Sequence, residues 1–351
     1  MRIIQIVTVF IFSFLTAHGQ DTLVQFLEPK IISQEAEKLY NEGVSKFNNH
    51  QLQDALIDFT RAIETKPDFE KAYFNRGNVK TELKDYKGAI EDFSASIILS
   101  DGPARSYFGR GFAKYNLKDY KGATKDFGES LKIESDYAPV YYYRGEIKFL
   151  TSDYKGAIEE FTKAIQHKKD YAYAYNDRGS AKRMLEDYKG AEADYAKAVE
   201  LDPKMIFSFN NLAFVKKKSG DTEGALQEYN MAIKLHPDDY LSYNNRGTLY
   251  FETEKFQEAI DDFTQAIKIN PEYAFAYNNR GSARFKMGEM DQAIEDFSQA
   301  IKLDSKYGYP YLNRGVIKQL KRDQAGACAD WEIAKRLGST IASSYLEICT
   351  K

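Results

Sequence analysis

The chain has 351 residues, 43% of them hydrophobic and 29% charged, an ordinary soluble balance with material for two or three domains. A formal net charge of −3 leaves no electrostatic footprint for nucleic acid, whose binding needs a basic surface. The aromatic fraction is high at 14%, with 26 Tyr against one Trp, and it proves to be periodic.

The first segment has the pattern of an export signal. Met1-Arg2 supplies a positive end, Ile3 to Thr16 is a predominantly apolar, uncharged stretch, and Ala17-His18-Gly19 places small residues before Gln20. This predicts removal of residues 1–19 and a mature protein outside the cytoplasm, periplasmic or extracellular. The apolar stretch falls short of the roughly 20 residues that span a bilayer as a helix. No later run approaches that length, so no membrane span is expected, and no Cys follows the stretch to carry a lipid. Residues 20–35 read as a lead-in.

From residue 36 onward the chain repeats itself. Stepping by thirty-four from Gly43 gives Gly77, Gly111, Gly145, Gly179, Ala213, Gly247, Gly281 and Gly315. The same step from Ala55 gives an unbroken Ala column through Ala327. From Phe59 it gives Phe93, Phe127, Phe161, Tyr195, Tyr229, Phe263, Phe297 and Trp331. A small-residue column runs from Ala62 through Ser96 and Ser130 to Ala334. Agreement of four columns over nine units leaves no room for accident. The units are 36–69, 70–103, 104–137, 138–171, 172–205, 206–239, 240–273, 274–307 and 308–341.

Each unit reads as two helices. In the second, Tyr73, Val79 and Leu83 keep helical spacing until Lys84-Asp85. Asp85 then predicts an N-cap for a helix carrying Ala89, Ile90, Phe93 and Ile97 on one stripe. The Gly and Ala columns mark close helix crossings, and Pro67, Pro203, Pro237 and Pro271 stop the second helix of their units. After Gly338, Ser344 to Cys349 reads as a short capping helix within residues 342–351.

With Ala36 as position one, these columns resemble the tetratricopeptide repeat: an aromatic at position four (Tyr73, Tyr107, Tyr141, Tyr175, Phe209, Tyr243, Tyr277, Tyr311), then Gly, Ala, aromatic, Ala and Pro. Position seven departs from the family's usual Leu and is Arg in seven units, from Arg76 to Arg314. The sixth unit departs most, with Leu212, Ala213 and Thr222. The resemblance implies an all-α, right-handed α-solenoid of helix-turn-helix repeats whose first helices line a groove. It also implies a non-enzymatic scaffold for a protein or an extended peptide.

Nothing in the residues points to chemistry. His50, His167 and His236 occupy three different repeat positions and cannot converge on a metal. Gly109-Arg110-Gly111 is the repeat motif inside a helix rather than a phosphate loop. No Ser or Cys stands in a nucleophile context. No enzyme activity, metal or small-molecule cofactor is expected. The column of nine acids from Asp58 to Asp330 pairs in prospect with the Arg column as a ladder of partly buried ion pairs.

Two groups of side chains are the candidate partner site. Position six is Asn in six units, of which Asn41, Asn75, Asn211, Asn245, Asn279 and Asn313 are the predicted contacts. An Asn amide both donates and accepts, so it can hold an extended backbone without reading its sequence. Similar Asn ladders in superhelical members of the family hold extended peptides. Position five adds Asn176, Asn210, Asn244 and Asn278 in the later units and is aromatic in the earlier ones: Tyr40, Phe74, Phe108 and Tyr142. Those four are expected to form an exposed aromatic row, with position four filling the core instead. Position two reverses the pattern, with Tyr173, Phe207, Phe275 and Tyr309. Exposed rings also stack on sugars, which makes an exported glycan-binding module the alternative. Finally, an exported chain with two Cys, Cys328 and Cys349, invites a disulfide, and the chain's ending resembles that of other bacterial proteins of this type. Two separately buried thiols are the other possibility.

Overall fold

The structure, a computed structural model, describes residues 17–100 and 102–349, with side chains from residue 30 onward. The apolar segment Ile3 to Thr16 therefore lies outside the described residues. Among the described residues there are nineteen helices and no strand. They divide into two compact units at 169/170.

The N-terminal unit holds four helical hairpins: α1 (Ala17–Asn48) with α2 (Leu52–Thr65), α3 (Glu70–Glu82) with α4 (Tyr86–Leu99), α5 (Ala104–Asn116) with α6 (Tyr120–Ile133), and α7 (Ala138–Leu150) with α8 (Tyr154–His167). Residues 20–35 are part of α1 and run without a break into the first repeat. The C-terminal unit holds five: α9 (Ala172–Met184) with α10 (Tyr188–Leu201), α11 (Ile206–Lys218) with α12 (Thr222–Leu235), α13 (Tyr240–Glu252) with α14 (Phe256–Ile269), α15 (Ala274–Lys286) with α16 (Met290–Leu303), and α17 (Gly308–Leu320) with α18 (Gln324–Arg336). A five-residue helix, α19 (Ala342–Leu346), follows. Within each unit every second helix is held between two first helices, except where the unit ends. Successive first helices such as α3 and α5, or α13 and α15, also touch. The first helices thus form one continuous face of each unit.

One turn recurs between the helices of every pair. The residue at position fifteen takes a positive φ: His50, Lys84, Lys118, Ser152, Glu186, Glu254 and Arg322 at 56° to 65°, and Gly220 and Gly288 at 87° and 85°. Asp at the next position caps the second helix in six repeats, its side chain accepting from the N–H three residues on, as Asp85 does from Gly88 at 3.0 Å. A Cβ on Gly88 would lie 2.3 Å from that carboxylate, so cap and glycine require each other. At the other end, Lys66 and Asn270 are extended, which suits the proline that follows each.

The core is the aromatic column of the second helices. Phe59, Phe93, Phe127, Phe161, Tyr195, Tyr229, Phe263, Phe297 and Trp331 are all buried. Eight of them lie on the position-eight glycine of their own repeat, where an added Cβ would come within 2.4–3.0 Å of the ring, and Tyr229 meets Ala213 in the sixth. A small residue at that position lets the helices meet closely. The same rings reach the next first helix, as Phe59 reaches Val79 and Tyr195 reaches Leu212 and Val215. The sixth repeat is the loosest. Thr222 stands where Tyr86, Tyr120 and Tyr188 join their core clusters, and an open cleft of about 440 Å³ between Leu226, Leu249 and Tyr250 occupies that place.

At the C-terminus Tyr345 stacks on Trp331 with ring centroids 4.9 Å apart, and Ala342, Leu346 and Cys349 complete the last cluster. Cys328 and Cys349 form a disulfide that ties α18 to the segment after α19.

Candidate functional site

The first helices owe their orientation to ion pairs inside each repeat. Arg76 donates from Nε and Nη2 to the two carboxylate oxygens of Asp92 at 2.9 and 2.7 Å. The same bidentate pair recurs as Arg110–Asp126, Arg178–Asp194, Arg246–Asp262, Arg280–Asp296 and Arg314–Asp330. Arg144 makes a single 3.1 Å bond to Glu160. A second cation at position eleven, invisible as a partner in sequence, reaches the same acid in five repeats: Lys80, Lys114, Lys182, Arg284 and Lys318. In the seventh repeat that position is Tyr250, and Arg246 is the one cation bonded to Asp262 among the described residues. Burial there outweighs Arg246 and pushes the Asp262 carboxyl above its usual range.

The position-four ring has a different role from the expected one. Tyr73, Tyr107, Tyr175, Tyr243, Tyr277 and Tyr311 each lie under the Arg of their own repeat, 5.4–5.8 Å from ring centroid to guanidinium carbon. Most are only half-buried. The sixth repeat changes all three partners together: Phe209 and Leu212 are buried, and Glu228 is more exposed than the other acids and bonds Lys216 at 2.6 Å. Two buried apolar side chains stand where other repeats have the Tyr and its stacked Arg.

Position five, rather than position four, carries the core role. Tyr40, Phe74, Phe108 and Tyr142 are half-buried rather than an exposed row. Each packs on the second-helix ring of its own repeat, with centroids 5.8, 5.9, 5.9 and 5.7 Å from Phe59, Phe93, Phe127 and Phe161. The reason is geometric. Position five lies about one turn before the glycine that admits the second-helix ring, so a large side chain there covers the ring's edge. Asn75 donates to the Tyr40 hydroxyl at 2.8 Å, and Asn41 stands exposed on α1.

Beyond Phe108 the N-terminal face thickens into a ring cluster that sequence reasoning passed over. Phe112 and Tyr115 on α5 meet Tyr143 on α7 at 4.9 and 5.4 Å between centroids, and the Tyr115 hydroxyl donates to Glu146 at 3.3 Å. Its signal was available: Phe108, Phe112 and Tyr115 follow helical spacing on one stripe.

In the C-terminal unit the Asn residues form a bonded ladder. The position-six amide donates to the position-five carbonyl of the preceding repeat: Asn211 to Asn176 at 3.1 Å, Asn245 to Asn210 at 3.4 Å, Asn279 to Asn244 at 3.0 Å and Asn313 to Asn278 at 3.2 Å. Asn176, Asn244 and Asn278 are buried, while the position-six partners are half-buried. Ser208 adds a bond to Asn176 at 2.9 Å, and Ser242 and Asn210 bond at 2.9 Å. Beside the ladder the position-two rings are exposed: Tyr173 at 50%, Phe207 at 44%, Phe275 at 48% and Tyr309 at 62%. Phe275 and Tyr309 continue into Tyr307, at 4.6 and 6.0 Å, and burial pushes the Tyr307 hydroxyl up to about 12.

Stacked helical hairpins, with one first-helix face in each unit, define a repeat scaffold for protein–protein interaction. Tetratricopeptide repeat models match residues 40–104, 172–205, 240–273 and 274–307, and a TPR repeat model matches 215–253. The chain belongs to the tetratricopeptide repeat family, whose members are generally non-enzymatic. No curated protein matches the sequence. Among solved structures, MamA is 26% identical over 47% of this chain and 96% of its own, with a TM-score of 0.42. PilF of Pseudomonas aeruginosa is 22% identical over 48% of this chain and 77% of its own, at 0.46. YrrB, described as a TPR protein with an unusual peptide-binding site, is 21% identical over 52% and 95%, at 0.44. Among the described residues no helix is long and apolar enough to cross a membrane.

Proposed function

We propose that the first-helix face of each unit holds an extended peptide segment of a partner protein, with the Asn ladder as its backbone receptor in the C-terminal unit. The observation that carries this reading is the set of four consecutive Asn–Asn bonds from α9 to α17. Each bond uses one N–H of the position-six amide and fixes its orientation. The second N–H stays on a half-buried group, so a backbone carbonyl arriving at repeat spacing meets donors that are already ordered. Phe74, Phe108, Tyr40 and Tyr142 then serve as walls of the face rather than as its exposed contacts. Asn245→Ala with Asn279→Ala should weaken binding of a captured peptide at least about tenfold while leaving helicity intact. Undiminished binding by the folded double variant would remove the ladder from the site.

Export is part of the same reading. The apolar pattern of residues 3–16 and the Cys328–Cys349 bond, which suits an oxidising compartment, support a periplasmic or extracellular protein. A glycan is the second reading, favoured by the exposed Tyr173, Phe207, Phe275 and Tyr309. Binding to oligosaccharides that Phe275→Ala with Tyr309→Ala abolishes would establish it.

A further inference from the structure

The sixth-position Asn pattern breaks at two adjacent repeats of the N-terminal unit, where the residues are Gly109 and Tyr143. At Gly109 even a Cβ would lie 2.5 Å from the Phe93 ring, so no amide can be placed there. What stands in place of the ladder is aromatic and acidic. Phe112 and Tyr115 lie nearly parallel, 19° apart in plane, and Tyr143 leans against both at 63° and 59°. The three rings make a half-buried corner, and the Tyr115 hydroxyl holds the Glu146 carboxylate beside it at 3.3 Å.

We propose that Phe112, Tyr115, Tyr143 and Glu146 form a receiving site for a positively charged side chain, Lys or Arg, of a peptide bound on the first-helix face of the N-terminal unit. The proposal rests on the reading that the first-helix face takes a peptide, and it adds the chemistry that peptide must carry. Ring faces present negative quadrupole density, and a carboxylate beside them adds a full charge in a partly desolvated corner. An ammonium or guanidinium gains from both, a neutral side chain from the rings alone, and an acidic one is repelled by Glu146. Two features of the cluster agree with this. Its outer ring, Tyr137, already carries the Arg105 guanidinium at 4.0 Å, and Arg105 is neutralised there by Glu134 at 3.0 Å. Burial pushes the Tyr115 and Tyr143 hydroxyls upward, and the Glu146 charge adds to the shift.

Selection of short random peptides displayed on phage against the full chain tests the site. The wild-type chain should enrich Lys- or Arg-containing peptides. A selected cationic peptide should lose about tenfold in affinity on Glu146→Gln, which keeps the side chain's shape, and Glu146→Lys should turn the preference toward acidic peptides. If Glu146→Gln lowers the melting temperature, Phe112→Leu gives the same comparison by keeping apolar bulk without the ring face. Binders without Lys or Arg enrichment would overturn the cation site and leave the peptide reading standing. So would an enrichment unchanged in folded Glu146→Gln. If no peptide binds at all, both readings fall.

Discussion

The two units build the same hairpin thirty-four residues at a time and finish its first-helix face in opposite ways. In the N-terminal unit the ring at position five lies on the second-helix ring and closes the edge of the core. In four of the five C-terminal repeats position five is Asn, whose amide bonds to the next repeat, and rings stand instead at position two in four of the five, where they are exposed. A change of residue at one helical position therefore converts packing surface into an ordered row of amides. The hairpin tolerates both because its register is set elsewhere, by the Gly–aromatic crossing and the Arg–acid pair.

The largest test of that claim compares one ion pair across the units. Arg246→Met strips Asp262 of its one bonded cation and should cost about 3 kcal/mol in denaturant unfolding, whereas Arg110→Met leaves Lys114 on Asp126 and should cost about 1 kcal/mol. The sign with pH follows from Asp262, whose carboxyl burial already raises. A buried acid with a raised pKa destabilises the fold where it is ionised, so the Arg246→Met penalty should shrink as pH falls through the carboxylate range. Equal costs at Arg110 and Arg246 would mean that the second cation contributes nothing.

Reduction of Cys328–Cys349 touches one unit alone. It opens a loop of 21 residues' separation and should destabilise the C-terminal end by about 3 kcal/mol, leaving hydrogen exchange in α3 and α5 unchanged because stacked repeats feel only their neighbours. Slowed or quickened exchange in the N-terminal unit would show longer-range cooperativity.

The finest comparison is between rings. Phe108→Ala removes contacts to Phe127, Tyr137 and Tyr143 and should cost about 2 kcal/mol. Phe207→Ala, at an exposed ring, should cost under about 0.5 kcal/mol. Thermal melts of the two variants decide it. If Phe108→Ala melts like the wild type, the position-five rings are free for a ligand after all.

How much of this was readable beforehand follows the kind of interaction. Helix pairs, the crossing glycines, the capping Asp and the Arg and acid columns repeat at fixed spacing. Each is dictated by local backbone geometry or by a steric limit that admits only small residues, and a steric limit leaves its mark in composition. Which ring becomes core leaves no such mark. Tyr73 and Phe74 are neighbours on one helix, and only the position of Arg76 and Phe93 in space makes the first a platform for a guanidinium and the second a cover for the core. The same holds for the amides: sequence shows Asn244 and Asn279 in their columns, but the bond between them exists because stacking brings position six of one repeat against position five of the one before. Side-chain type and period come from the chain itself. The division of similar side chains between burial, bonding and exposure is decided by which helix arrives next to them, because burial depends on the neighbour and not on the residue.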